Sequence, residues 1–352
     1  MQKGLRMKFG IFDQNDASGR PTDVQYEERL QLAKLYEECG FYCYQMSEHH
    51  GTPLNTAPSP SVFLAALSQR TATLRFGPLV YLLPLYQPMR LVEEICMLDQ
   101  LSKGRFEFGV GRGASPHELR YLGIAEERAG ELYAEAFEII RQGLTTGSLN
   151  HKGKHWTFDD VHLSIRSYQK PHPPIWYAAG SPDSAVWPAR NGINLICAGP
   201  LERVRAVADR YRAEQRQRSG AGVGENLIGM NRYIFVAETD KEARASAGRA
   251  WPVFHDSFWK LWRRHGGEPK NFRVPELALM MQHGFAIIGS ADTVRTELVR
   301  QVSESGVNYL SGTFAFGDLT LDEVTNSVRL FSGVMPAVRT AYDAARHSHE
   351  AA

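Results

Sequence analysis

The feature that most constrains this chain is a repeated alternation of short apolar stretches with helical ones. Residues 8–12 (KFGIF) read as a strand. Residues 26–39 place Leu30, Ala33, Leu35 and Tyr36 near one helical stripe, closed by Gly40. Residues 41–46 are a second strand, and Ser61 caps a helix carrying Val62, Leu64, Ala65 and Leu67. Residues 74–83 are a third, apolar enough for a strand buried on both faces, and Pro84 and Pro88 stop it. A helix over 89–102 leads to a strand in which Phe106, Phe108 and Val110 alternate. Such a pattern calls for a parallel sheet with right-handed helical crossovers. The second half continues it. Strands are expected at 175–179, 193–197, 227–237 and 308–313, and helices at 129–143, 202–218, 240–250, 290–305 and 319–332. Eight strand–helix units predict an α/β fold, a closed (β/α)8 TIM barrel. The competing doubly wound open sheet lacks support, because no dinucleotide-binding glycine fingerprint joins the first strand to the first helix.

Three segments break the rhythm. Residues 145–158, with Gly147, Asn150 and Gly153, read as a β-hairpin decoration. Residues 251–283 are long, aromatic and punctuated by Pro252, Gly266, Gly267, Pro269 and Pro275. They are expected to form an insertion before the last strand unit, a lid or wall over a pocket. The tail, 340–352, is expected to be flexible, and the whole of 1–352 to form one domain.

Charge and composition exclude several classes of function. With 40 Lys and Arg against 39 Asp and Glu, the net charge of +1 suits neither a nucleic-acid nor an anionic-membrane partner. No apolar run approaches the roughly 20 residues of a membrane span. The N-terminal MQKGLRMKFGIFDQ lacks the apolar core of a signal peptide, so a cytoplasmic protein is expected. Cys39, Cys43, Cys96 and Cys197 match no zinc or redox spacing; buried, reduced thiols and no metal site are expected.

The chemistry-bearing residues collect at carboxyl ends of strands, where parallel α/β folds bind ligands. Ser47-Glu48-His49-His50-Gly51 follows the second strand. The adjacent histidines point in different directions, which argues against a shared zinc. Gly111-Arg112-Gly113 follows the fourth. Its glycines let backbone approach a ligand, and the arginine offers a forked, permanent cation to a phosphate or to a carboxylate of the protein itself. Gly180-Ser181-Pro182-Asp183-Ser184 follows the fifth. With Ser181 as N-cap and Ser184 in the first turn, it is either an ordinary helix cap or an anion site. Glu107 stands out as a charge within a strand otherwise fit for burial.

The motifs KFGIF, YEECGF, SEHH, RFGPLVYLLPLYQPMRLVEE and MLDQLSKGRFEFGVGRG are followed near the end by Gly306-Val307-Asn308 and LFSGVMP. In that order, over residues 7–335, they resemble the bacterial luciferase-like flavin-dependent monooxygenases. The resemblance implies a non-prolyl cis peptide at Leu79–Val80 backing a flavin ring. It implies a phosphate site at Arg112, Ser181 and Ser184, with Gly111 and Gly180 beside it. It implies a proton-transferring His49, with His50 structural or touching substrate. Phe12, Tyr81 and the 251–283 segment would wall the pocket against water. Where luciferase α carries a reactive cysteine and a glutamate, this chain has Gly111 and Gly180, so light emission is not expected. The implied activity is oxygenation of a small organic substrate by O2 and reduced FMN, supplied by a separate NAD(P)H:flavin reductase, in a homodimer. The resembling proteins also include F420-dependent oxidoreductases and non-catalytic flavin-binding proteins, which stand as alternatives.

Overall fold

A computed structural model describes residues 6–217, 226–269 and 273–350. In chain order the strands are β1 (Lys8–Asp13), β2 (Cys43–Met46), β3 (Arg75–Pro78), β4 (Tyr81–Leu82), β5 (Phe108–Gly111), β6 (Ser148–Lys152), β7 (Thr157–His162), β8 (Ile175–Ala178), β9 (Asn194–Cys197), β10 (Ile228–Ala237), β11 (Ala286–Ser290) and β12 (Tyr309–Thr313). The helices are α1 (Thr22–Glu38), α2 (Pro60–Ser68), α3 (Pro88–Leu101), α4 (Pro116–Tyr121), α5 (Glu126–Thr146), α6 (Val186–Asn191), α7 (Leu201–Gln217), α8 (Asp240–His265), α9 (Leu277–Gln282), α10 (Ala291–Ser305) and α11 (Leu321–Glu350). Helix α3 shows how they form: Leu91, Val92, Ile95 and Leu98 make its buried stripe, and the Gln87 side chain accepts from the Arg90 amide at its start.

The strands run parallel in the order β3-β2-β1-β12-β10-β9-β8-β5-β4. Only Leu79–Val80 separates β3 from β4. Because β3 pairs with β2 and β4 with β5, they are two halves of one barrel position, and a Phe76–Phe106 bridge joins the seam. The predicted barrel is therefore present, with β6 and β7 as the antiparallel hairpin outside it. The Glu135 carboxylate on α5 pins that hairpin by accepting the backbone N–H groups of Lys154, His155 and Trp156.

Three elements differ from expectation. No strand is among the predicted ones just before the helix over 290–305, yet β11 is one. It pairs with Tyr233–Ala237, the half of the ten-residue β10 that outruns β12 and would otherwise be an open edge. Pro252 does not break a helix: α8 runs unbroken for 26 residues from a Thr239–Glu242 capping box. Trp251 and Phe254, both fully buried, pack on Tyr233 and Phe316 and hold that turn in place. The segment 251–283 thus begins as the second half of α8; its residues 270–272 lie outside the described residues. Finally, α11 continues through most of 340–352, since Val334, Met335, Val338 and Tyr342 keep its apolar stripe buried. Residues 351–352, and Arg218 at the expected end of α7, lie outside the described residues.

Glu107 closes the barrel floor. Its carboxylate accepts from Tyr42 Oη at 2.5 Å, Trp176 Nε1 at 2.6 Å and Arg75 Nε, and it is 1% exposed. A buried carboxylate survives only with such a full set of donors. All four cysteines are free, and three are buried. No helix among the described residues is long and apolar enough to cross a membrane.

Candidate active site

A cavity of about 700 Å³ opens at the carboxyl ends of the barrel strands. Its walls bring together His49, Leu79, Val80, Gly111, Arg112 and Gly180, residues from four separate stretches of sequence. The Leu79–Val80 peptide is cis. The glycines of the FGVG run make room for this pair. A Cβ on Gly109 would lie 2.9 Å from Val80 Cγ1, and one on Gly111 would lie 2.4 Å from Val80 Cγ2. Val80 fills the notch they leave.

Arg112 is exposed, and its guanidinium makes no ion pair or hydrogen bond with any described residue. The alternative of a carboxylate partner is not realised among the described residues. Gly180 lines the cavity and a Cβ there would meet nothing within 4 Å. Ser181 and Ser184 lie just past it, off the cavity wall. They cap each other: Ser184 Oγ donates to the Ser181 carbonyl at 2.6 Å and accepts from the Ser181 amide at 3.0 Å. A three-residue 3-10 turn, Asp183–Ala185, precedes α6 here. Tyr81 is not a wall residue; it is fully buried with its hydroxyl 2.8 Å from that of Ser61.

Two buried glutamates organise the histidines, and sequence reasoning missed both. His49 Nδ1 lies 3.1 Å from Glu118 Oε1, and the His50 amide donates to Glu118 Oε2 at 3.1 Å. Glu118 is the third residue of α4 after its Ser115 cap. Ser115-Pro116-His117-Glu118 has the spacing of a capping box, in which such a carboxylate reaches back to the cap amide; here it reaches the histidines. With Nδ1 donating to Glu118, His49 Nε2 is the free basic nitrogen, as a proton acceptor requires. Glu48 takes His50 Nε2 at 2.8 Å, the Tyr86 hydroxyl at 3.0 Å and the Leu82 amide at 2.8 Å. The bond to Glu48 raises the His50 pKa above its ordinary value. Glu48 thereby ties the end of β2 to β4, and His50 is one of its donors.

The outer wall comes from Phe258, Leu261 and Trp262 of α8, with Pro269 and Arg273 beyond it. The end of α8 rests on α4. The Trp262 and His117 rings meet at 4.8 Å, His117 Nε2 is 3.2 Å from the Gly266 carbonyl, and Tyr121 bonds His265. Gln14 and Asn231 complete the lining. No sequence pattern flagged either, because single amides carry no spacing signal.

A parallel barrel whose strand ends converge on one cavity, with an oriented histidine and an unpaired arginine at its rim, defines an α/β-barrel enzyme. The luciferase-like monooxygenase family profile matches residues 7–309, and the chain belongs to that family. The uncharacterized protein y4wF of Sinorhizobium fredii is 41% identical over 318 residues, covering 90% of this chain and 93% of that one. The oxygenase component of the flavin-dependent trigonelline monooxygenase of Acinetobacter baylyi is 28% identical over 260 residues, covering 72% and 71%. Among solved structures, the monooxygenase RslO1 of Streptomyces bottropensis superposes with a TM-score of 0.85 at 26% identity, covering 94% of this chain and 99% of that one. Two others share the fold. The oxygenating constituent of 3,6-diketocamphane monooxygenase from Pseudomonas putida, in complex with FMN, has a TM-score of 0.79 at 20% identity, covering 93% and 97%. The F420-dependent tetrahydromethanopterin reductase of Methanopyrus kandleri has 0.66 at 17%, covering 92% and 98%.

Proposed function

We propose that this protein is the oxygenase of a two-component system, taking reduced FMN from a separate flavin reductase and oxygenating a small organic substrate with O2. The observation that carries this reading is the juxtaposition, in one cavity, of the Leu79–Val80 ledge in its glycine notch with the unpaired Arg112. The residues fit a flavin mononucleotide. Leu79 and Val80 offer an apolar ledge to a ring, and Arg112 offers a forked cation to a phosphate. Gly111 and Gly180 leave backbone accessible beside it. Ser181 and Ser184 adjoin this place and complete the phosphate set by exchanging their mutual hydrogen bonds for bonds to phosphate. Bound flavin supplies the oxygen activation and redox chemistry that no side chain can. His49 accepts a proton at Nε2 while Glu118 holds the ring by its Nδ1. Phe12, Phe258, Leu261 and Trp262 keep water out. The protein acts as a cytoplasmic homodimer in this reading.

The test compares FMN with riboflavin, which lacks the phosphate. Arg112→Ala is expected to weaken FMN binding by about 10- to 100-fold, the worth of a charged hydrogen bond, and riboflavin binding by less than about twofold. Equal loss of both makes Arg112 structural. F420-dependent hydride transfer is the competing reading, because the fold is shared with the F420-dependent reductase. F420 binding tighter than FMN refutes the oxygenase.

A further inference from the structure

The cavity wall across from the Leu79–Val80 ledge presents hydrogen-bond acceptors that the flavin reading does not use. Asn231, on β10, lines the cavity and is 7% exposed. Its Nδ2 donates to the Ser311 carbonyl at 3.2 Å and to Thr313 Oγ1 at 3.4 Å. A carbonyl accepts and never donates, so the amide sits only this way round. Both contacts lie on β12, where Ser311 is the register partner of Asn231, so two paired strands fix the side chain. Its Oδ1 is left with no hydrogen-bond partner among the described residues. The place of Asn231 on the ring of strands matters. Counting round the barrel from the β3–β4 position through β2, β1 and β12 puts β10 diametrically opposite. A ring lying on Leu79–Val80 thus has Asn231 across the cavity from it.

The polar groups around this oxygen select what it can meet. Gln14, just past β1 and 6% exposed, shares the cavity, and its Oε1 is buried without a hydrogen-bond partner. His49 Nε2, with Nδ1 turned to Glu118, is an acceptor as well. Secluded acceptors call for donors, and among the described residues these have none. A carboxylate on the ligand would bring lone pairs to lone pairs. A cationic donor fares no better, because the Arg273 guanidinium stands on the same wall and keeps its charge. Nor is a carboxylate of the wall free to pair with such a cation. Glu118 holds His49 and the His50 amide, and Glu48 holds His50, Tyr86 and the Leu82 amide. What remains is a neutral hydroxyl or N–H. The rest of the wall is apolar, with Phe12, Leu54, Ile196, Phe258 and Trp262.

We infer that Asn231 is the specificity determinant for the organic substrate, a neutral molecule that carries a hydroxyl or N–H donor on an apolar or aromatic body. The donor bonds Asn231 Oδ1 and the apolar wall takes the body, which sets the rest of the molecule toward the Leu79–Val80 side. Calling that ligand the substrate rests on the flavin reading above; the acceptor site itself does not.

The test is calorimetric titration of near-isosteric pairs that differ in one donor, with and without FMN. The probes are indole and benzofuran, δ-valerolactam and δ-valerolactone, and phenol and fluorobenzene. At least one donor is expected to bind tighter than its partner by about tenfold or more. Asn231→Leu and Asn231→Ala are each expected to abolish that preference and to leave FMN affinity within about twofold. No donor outbinding its partner in the unmutated protein overturns the proposal, whatever the variants do. So does a preference that survives both substitutions. A fall in FMN affinity of about tenfold in both variants overturns it too, since Asn231 would then serve an N–H of the flavin. Failure of the unmutated protein to bind FMN, with the donor preference intact, refutes the flavin reading instead.

Discussion

Replacing Gly111 with alanine tests the notch directly. The added Cβ would stand 2.4 Å from Val80 Cγ2. Ordinary carbon–carbon contact is about 3.5–4.0 Å, so the two must part by about 1 Å. Val80 occupies both glycine positions, since its other methyl faces Gly109, where a Cβ would sit at 2.9 Å. Leu79 gives no slack either, being buried, with its own Cδ1 3.0 Å from the same point. Overpacking of this kind costs about 1–3 kcal/mol. Because the clash is with one side chain, Val80→Ala should relieve it. The assay is urea unfolding of Gly111→Ala, Val80→Ala and the double variant. The double variant should be more stable than the sum of the single losses predicts, by about 1 kcal/mol or more. Strict additivity, with a coupling under about 0.5 kcal/mol, refutes the claim that Gly111 exists to accommodate Val80.

Three other outcomes follow from the site and its supports. Glu118→Gln should leave FMN binding unchanged while lowering kcat by about tenfold or more, because the His49 ring loses the carboxylate that Nδ1 faces and that orients it; an unchanged kcat removes that role. His50 has a folded-state pKa above its ordinary 6.5, chiefly through its bond to Glu48. The stabilisation is therefore complete below 6.5 and is lost as pH rises through the higher folded value. The stability deficit of His50→Ala, read by denaturant unfolding, should accordingly be larger near pH 5.5 than near pH 9. Asp16 is pushed up to about 7 from 3.8 by burial, so the folded state binds the extra proton and stability falls as pH rises across that interval. Asp16→Asn should thus gain stability relative to the unmutated protein between pH 4 and pH 7, and a flat difference refutes the assignment.

Much of the barrel was legible because its signals are local. Apolar strands, helical stripes and glycine stops recur in a regular order, and the cavity's principal residues sit at strand ends that a parallel sheet must bring together. What escaped depends on neighbours remote in sequence. Residues 286–288 became a strand because β10 is long enough to offer them an edge. Pro252 stayed helical because Trp251 and Phe254 are locked against Tyr233 and Phe316. The resemblance implied Tyr81 as a wall residue, yet its hydroxyl meets that of Ser61 on α2. Glu118 carried a readable capping signal, but only the fold shows that its carboxylate is diverted to His49, 69 residues away. Glu107 was visible as an anomaly, and the three donors that resolve it come from Tyr42, Arg75 and Trp176.

The six residues of α4 answer to two masters. Glu118 on this helix aims His49, while its immediate neighbour His117 bears the Trp262 ring and the Gly266 carbonyl at the far end of the outer wall. Reshaping that wall to admit a different molecule therefore also moves the fulcrum on which the histidine turns. In the proposed mechanism, substrate range and proton transfer thus share one support, α4. A change at Trp262 that widens the cavity should need a compensating change at His117 or Glu118 before the proton is delivered on time.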